Sequence, residues 1–201
     1  MLTSTPATEN WVGCFFGAVV LLVVGLAAGV GIAEWINAMP AQSPLPVGAD
    51  RPLLAAGPAR RVEEPVGWEL FAFILRRNMT VFLMLLLGVV SAGLVTIVVL
   101  LGNGLAVGQL IGFARVSGMS QVDVAYLLLP HGVLELGALC VAGAVGLRGI
   151  PLAFGISAIE RSSFAALRLG TVLVFGLGAL AGAAGVEAFV TVEIAESLRS
   201  K

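Results

Sequence analysis

From Val12 to Ala33 the chain carries no charged residue, and Met79 to Leu101 repeats the pattern. An uncharged apolar run of roughly 20 residues is enough to cross the hydrocarbon core of a bilayer as one helix. In water, a chain of 201 residues must still cover itself with polar groups. Here 59% of the residues are hydrophobic and 11% charged, against about a quarter charged in soluble domains. Lipid is the solvent such a surface requires. The expected fold is an all-α, polytopic membrane helix bundle of about five transmembrane helices. A net charge of −1 gives no general attraction to nucleic acid, which is not expected as a partner.

The first span, Val12 to Ala33, is framed by Trp11 and by Glu34-Trp35, which suits the aromatic belts at the two water interfaces. It lacks the basic stretch that precedes a cleaved signal, so a retained helix is expected. Asn37 to Glu64 is a polar connection broken by Pro40, Pro44, Pro46, Pro52 and Pro58. Pro65 to Asn78, with Trp68, Arg76 and Arg77, reads either as an interfacial helix or as the start of the next span. The second span, Met79 to Leu101, is expected to stop at a turn, Gly102-Asn103-Gly104. Asn103 would then cap a helix beginning at Gly104. That third segment either crosses as far as Gly118, with Arg115 snorkelling, or dips in and returns; a crossing is the simpler choice. The fourth span, Val122 to Leu147, is expected to be a broken helix at Pro130-His131-Gly132, and the fifth runs from Leu169 to about Val192. The chain divides into residues 1–36, 37–78, 79–192 and a polar tail, 193–201.

Small residues recur four apart at Gly25 and Gly29, at Gly104, Gly108 and Gly112, and at Gly178 and Gly182. In lipid, packing rather than the hydrophobic effect joins helices, and this spacing lets them approach closely. It favours a compact bundle or a homo-oligomer. Cys14 and Cys140 lie inside apolar runs and read as small buried hydrophobes. No zinc-ligand spacing occurs, and no metal or other cofactor is expected.

The polar groups inside these runs are few enough to be informative. His131 and Glu135 are four apart and share a helix face. Pro130 removes the N–H that the Tyr126 carbonyl would normally receive. An acid near the centre of a span costs about 2.5–3.5 kcal/mol on the insertion scale, so Glu135 must turn toward other helices. Glu187 is a second such acid. Because the fifth span returns to the side from which the fourth begins, Glu187 falls in the same membrane half as His131 and Glu135. The three are expected to form one cluster, acting either as a lock between helices or as a proton or ion relay. Neither a Ser/His pair nor paired aspartates accompany them, so catalysis is not expected.

Asn103-Gly104 with Gly108, Leu129-Pro130-His131-Gly132 with Glu135, Ala142-Gly143-Ala144 with Gly146-Leu147, and Glu187 with Phe189 and Thr191 resemble the stage II sporulation protein M family. The resemblance covers roughly Asn78 to Val192, and its most specific element is Pro-His-Gly-x-x-Glu. It implies a five-span protein of the prokaryotic cytoplasmic membrane without established catalytic activity. In that family the sporulation member is a scaffold for peptidoglycan-degrading enzymes, and relatives beside circular-bacteriocin genes are implicated in peptide maturation, export or immunity. The resemblance also implies a cytoplasmic N-terminus. The arginines at 51, 60, 61, 76 and 77 point the other way, since basic residues collect inside; a reporter fused at Ala49 separates the two. The expected role is a non-enzymatic scaffold or assembly partner for membrane or envelope proteins. The alternative is a transport component for peptide export or for a small solute or ion.

Overall fold

A computed structural model describes residues 7–39, 66–154 and 169–191. Most of the polar connection after the first span, the Glu160-to-Arg168 connection and the tail lie outside the described residues. Within them the chain forms α1 (Ala7–Ala38), α2 (Trp68–Leu86), α3 (Leu94–Val116), α4 (Gln121–Leu147), a short α5 (Gly149–Ala153) and α6 (Leu169–Val186). A 3-10 turn, Leu87–Val89, extends α2, and a π turn, Glu187–Thr191, extends α6. Five of these units are long and apolar enough to span a membrane: Trp11–Ala38, Trp68–Val89, Leu94–Val116, Gln121–Ala153 and Leu169–Thr191. Large apolar side chains such as Phe16, Val98, Val174 and Phe175 point outward from them. An apolar exterior of this extent is the surface of a protein solvated by lipid.

The second and third spans differ from the sequence expectation. Trp68 to Leu86 is one continuous helix, so the segment before Met79 is the first half of the span rather than a separate interfacial helix. The turn lies at 90–93, where Ala92 and Gly93 have φ of 51° and 79°, and Gly93 N–H donates to the Gly88 carbonyl at 2.7 Å. Gly102, Asn103 and Gly104 are interior to α3, which crosses fully and is not re-entrant. Asn103 therefore caps nothing: its Nδ2 donates to the Val99 carbonyl of its own helix at 2.8 Å. In hydrocarbon no water can take over a freed backbone group, so an unbroken helix outcompetes a local turn signal. The same reason carries α4 through Pro130 without ending it. Ser120 caps that helix, its hydroxyl accepting from Asp123 N–H at 3.1 Å.

Successive spans run antiparallel, which places the end of α1, the start of α2, the end of α3, the start of α4 and the end of α6 in one half of the bundle. Two contacts fix this arrangement. Arg115 of α3 pairs with Glu34 of α1 at 3.0 Å, and the Trp68 and Phe189 rings meet edge to face at 5.2 Å. Central α4 touches α1, α2, α3 and α6.

α1 and α3 join through the glycines. A Cβ on Gly25, Gly29, Gly104 or Gly108 would collide with a backbone carbonyl, respectively of Leu101, Leu105, Leu22 and Leu26. A Cβ on Gly112 would press on the Ala33 methyl. Only a hydrogen fits, and it is directed at the oxygen as a weak Cα–H···O bond. Gly178 and Gly182 do not act this way. A Cβ on Gly178 would meet nothing within 4 Å, and one on Gly182 would make only ordinary contact with Leu134. On α6 the close approach falls instead at Gly176, against the Phe82 ring.

The half of the bundle away from the Arg115–Glu34 pair is densely filled. Phe82, Leu85, Leu100, Leu139, Val145 and Leu180 are fully buried there. Thr96, also fully buried, donates its hydroxyl to the Leu85 carbonyl at 2.8 Å, a site admitted by Gly88 and Gly146. Gly146→Ala would set a methyl against that carbonyl and hydroxyl. It is expected to cost about 1–3 kcal/mol, read as a lower unfolding temperature in detergent. An unchanged midpoint would mean that this contact is looser than described.

Candidate functional site

The opposite half contains a cavity of about 280 Å³. Four helices build it: Arg77 and Asn78 from α2, Asn103 from α3, His131 and Glu135 from α4, and Glu187 at the start of the π turn. Asn78 lies ten residues beyond Trp68, about 15 Å along the helix, and thus near the middle of a core about 30 Å thick. Leu70 and Phe73 line the cavity nearer the interface. Beyond Asn78 the next turns of α2 bring Phe82 and Leu85, and the packed core closes the path. The cavity is confined to one half of the bundle. Its rim includes Phe73 and Leu110, which are 57% and 62% exposed, so it borders the lipid-facing surface between α2 and α3.

His131, Glu135 and Glu187 are thus brought around one space, with Pro130 and Gly132 on the same helix and Gly132 in the wall. His131 is buried, and its Nδ1 lies 3.3 Å from the Thr191 hydroxyl. That hydroxyl also lies 3.4 Å from the Val186 carbonyl. A hydroxyl that donates to that carbonyl can only accept from the imidazole, so this pairing fits a proton on Nδ1. The π turn brings Thr191 to this position. Such wide turns are rare and frequent at functional sites.

Three contributors lie outside the sequence-derived cluster. Asn103 was legible as polar but assigned to a cap; with its Nδ2 bonded to Val99, its Oδ1 remains an acceptor at the wall. Arg77 and Asn78 looked like the boundary of a connection. The signal was nevertheless present for Asn78, which falls on the buried stripe Ile74, Asn78, Phe82 and Leu85 of α2. Asn78 is 6% exposed; its side chain stands beside Glu135, yet its Nδ2 makes no hydrogen bond of good geometry among the described residues. A buried donor left unpaired in this way costs about 1–3 kcal/mol and points to an unfilled role.

The acids are similarly unpaired. Among the described residues the one ion pair is Arg115–Glu34, so neither Glu135 nor Glu187 has a cation within 4.0 Å. Among the same residues no three His, Cys, Asp or Glu side chains stand close enough to share a metal ion. The wall offers two carboxyl groups, Asn103 Oδ1 and the His131 ring, facing one guanidinium and the Asn78 amide.

Spanning helices enclosing an ionisable cavity define a multi-pass α-helical membrane protein with a polar interior site. A model of the family described as Stage II sporulation protein M matches residues 14–192, and the chain belongs to that family. A protein of Methanocaldococcus jannaschii described as uncharacterized is 33% identical over 78 residues, which is 39% of this chain and 44% of that relative. The match therefore spans less than half of the relative's length. No solved structure matches the chain.

Proposed function

We propose that this protein is a non-enzymatic assembly partner in the cytoplasmic membrane of a prokaryote, and that it holds a polar group of another membrane or envelope protein in the cavity. One observation carries the reading: the cavity is blind toward the packed core and bordered by Phe73 and Leu110 at the lipid-facing surface. A group entering sideways, on a segment already in the membrane, meets ionisable side chains without crossing to water. The polar sequence after α1 is a second candidate for recruiting partners.

The transport reading draws on a different observation, the unpaired acids within the lipid layer, since such groups often mark ion or solute pathways. It requires the sealed half around Phe82, Leu139 and Leu180 to open, so purified protein in vesicles should then carry a flux.

Tagged protein recovered from native membranes in mild detergent is expected to bring a partner with it. Glu135→Gln should lose that partner, while Phe175→Leu, on the lipid-facing surface, should retain it. Equal recovery with Glu135→Gln would remove the cavity from the interaction. A Glu135-dependent flux without partner recovery would favour transport instead.

A further inference from the structure

We infer that the cavity is a binding site for a monovalent organic cation, an alkylammonium or alkylguanidinium such as the end of a lysine or arginine side chain. This rests on the reading of the cavity as a receiving site and names the chemistry received.

The first argument is charge. The carboxyl groups of Glu135 and Glu187 outnumber the single guanidinium lining the same space, that of Arg77, so a cation entering it can hold both acids in their ionised form. Uncompensated charge within a bilayer is costly, and one positive charge in the cavity removes the imbalance. The second is hydrogen bonding. Asn103 Oδ1 is an acceptor without a donor among the described residues, and the acids add acceptor capacity. An ammonium carries three donors and a guanidinium five. The third is size and geometry. The described residues offer no three-ligand group for a metal ion, whereas about 280 Å³ admits a polyatomic group together with water.

Asn78, whose side chain stands beside Glu135, supplies a second observation. Its side chain is more than nine-tenths buried and lines the cavity, and its Nδ2 is unpartnered. Its N–H groups call for an oxygen, which a carboxylate drawn toward the cation, or a water carried with it, supplies. Filling the cavity thereby satisfies both the surplus acceptors and the stranded donor.

The test uses the full chain in lipid nanodiscs. Calorimetric titration with ethylammonium and with methylguanidinium reports free cations. A Leu-rich membrane peptide bearing one central arginine, compared with its glutamine counterpart, reports a side chain presented from lipid. Saturable binding is expected, weakened at least about tenfold by Glu135→Gln or Glu187→Gln, and unchanged by Phe175→Leu. Arg77→Gln should act oppositely and tighten binding, because it removes the competing cation; a variant that merely misfolds cannot do that. Preference for the arginine peptide over methylguanidinium identifies a partner's side chain as the source, and the reverse identifies a free organic cation. Binding that is indifferent to both acids, weaker binding in Arg77→Gln, or binding only of acetate or phosphate overturns the assignment. If no cation binds while partner recovery still depends on Glu135, the receiving role stands and the ligand class fails. If cations bind and no partner depends on Glu135, the assembly role fails and the ligand class stands.

Discussion

Gly108→Leu should detach α1 from the bundle. At this position a single added methyl already collides with the Leu26 carbonyl, and backbone cannot yield as a flexible side chain can. Overpacking of a close interface costs about 1–3 kcal/mol and sometimes more; an isobutyl group pressed against backbone belongs at the upper end. Gly102→Leu is the internal control. It lies on the same helix, and a Cβ there would meet nothing within 4 Å. The measurement is cross-linking between cysteines placed at Glu34 and Arg115, the residues of the ion pair joining these helices, with Cys14 and Cys140 replaced. Efficient cross-linking in Gly102→Leu and its loss in Gly108→Leu is the expected pair of results. Equal cross-linking in both would show that the two helices do not meet through their glycines.

Glu135→Leu should produce the second large effect, with opposite signs for stability and function. Leucine favours a span centre by about 0.3–0.6 kcal/mol, whereas an acid costs about 2.5–3.5. The exchange therefore gains up to about 3–4 kcal/mol of insertion, reduced to the extent that water reaches the cavity. A higher unfolding temperature in detergent is expected, together with loss of partner recovery. Such a trade, in which a site is kept at the expense of stability, is common where polar groups serve a role. A lower unfolding temperature would identify Glu135 as a structural lock between helices.

The bundle and its five spans were legible because uncharged length is a coarse property that only lipid accommodates. The boundary between the second and third spans was not. Gly102-Asn103-Gly104 carries a stronger local turn signal than the segment around Ala92-Gly93 where the chain actually turns. Turn propensities describe a competition with water for backbone groups, and that competitor is absent inside a bilayer. His131, Glu135 and Glu187 were visible as ionisable groups amid apolar sequence. Asn78 and Arg77 were hidden by position, since beside Arg76 they looked like the edge of a span, although they lie well inside α2. Thr191 could not have been assigned to His131 at all. That proximity depends on a π turn for which the residues Glu187–Thr191 give no local sign.

The wide turn also acts as a phase shifter. Each residue of an ordinary helix advances the azimuth by about 100°, so an inserted residue rotates everything beyond it by nearly a third of a revolution. Deleting one residue between Glu187 and Thr191 would relax the coil to regular winding and swing the threonine away from the imidazole, with the acid itself left in place. The alignment of α4 with the end of α6 is therefore set by a count of residues as much as by their chemistry, and a one-codon deletion could undo it where many substitutions would be absorbed.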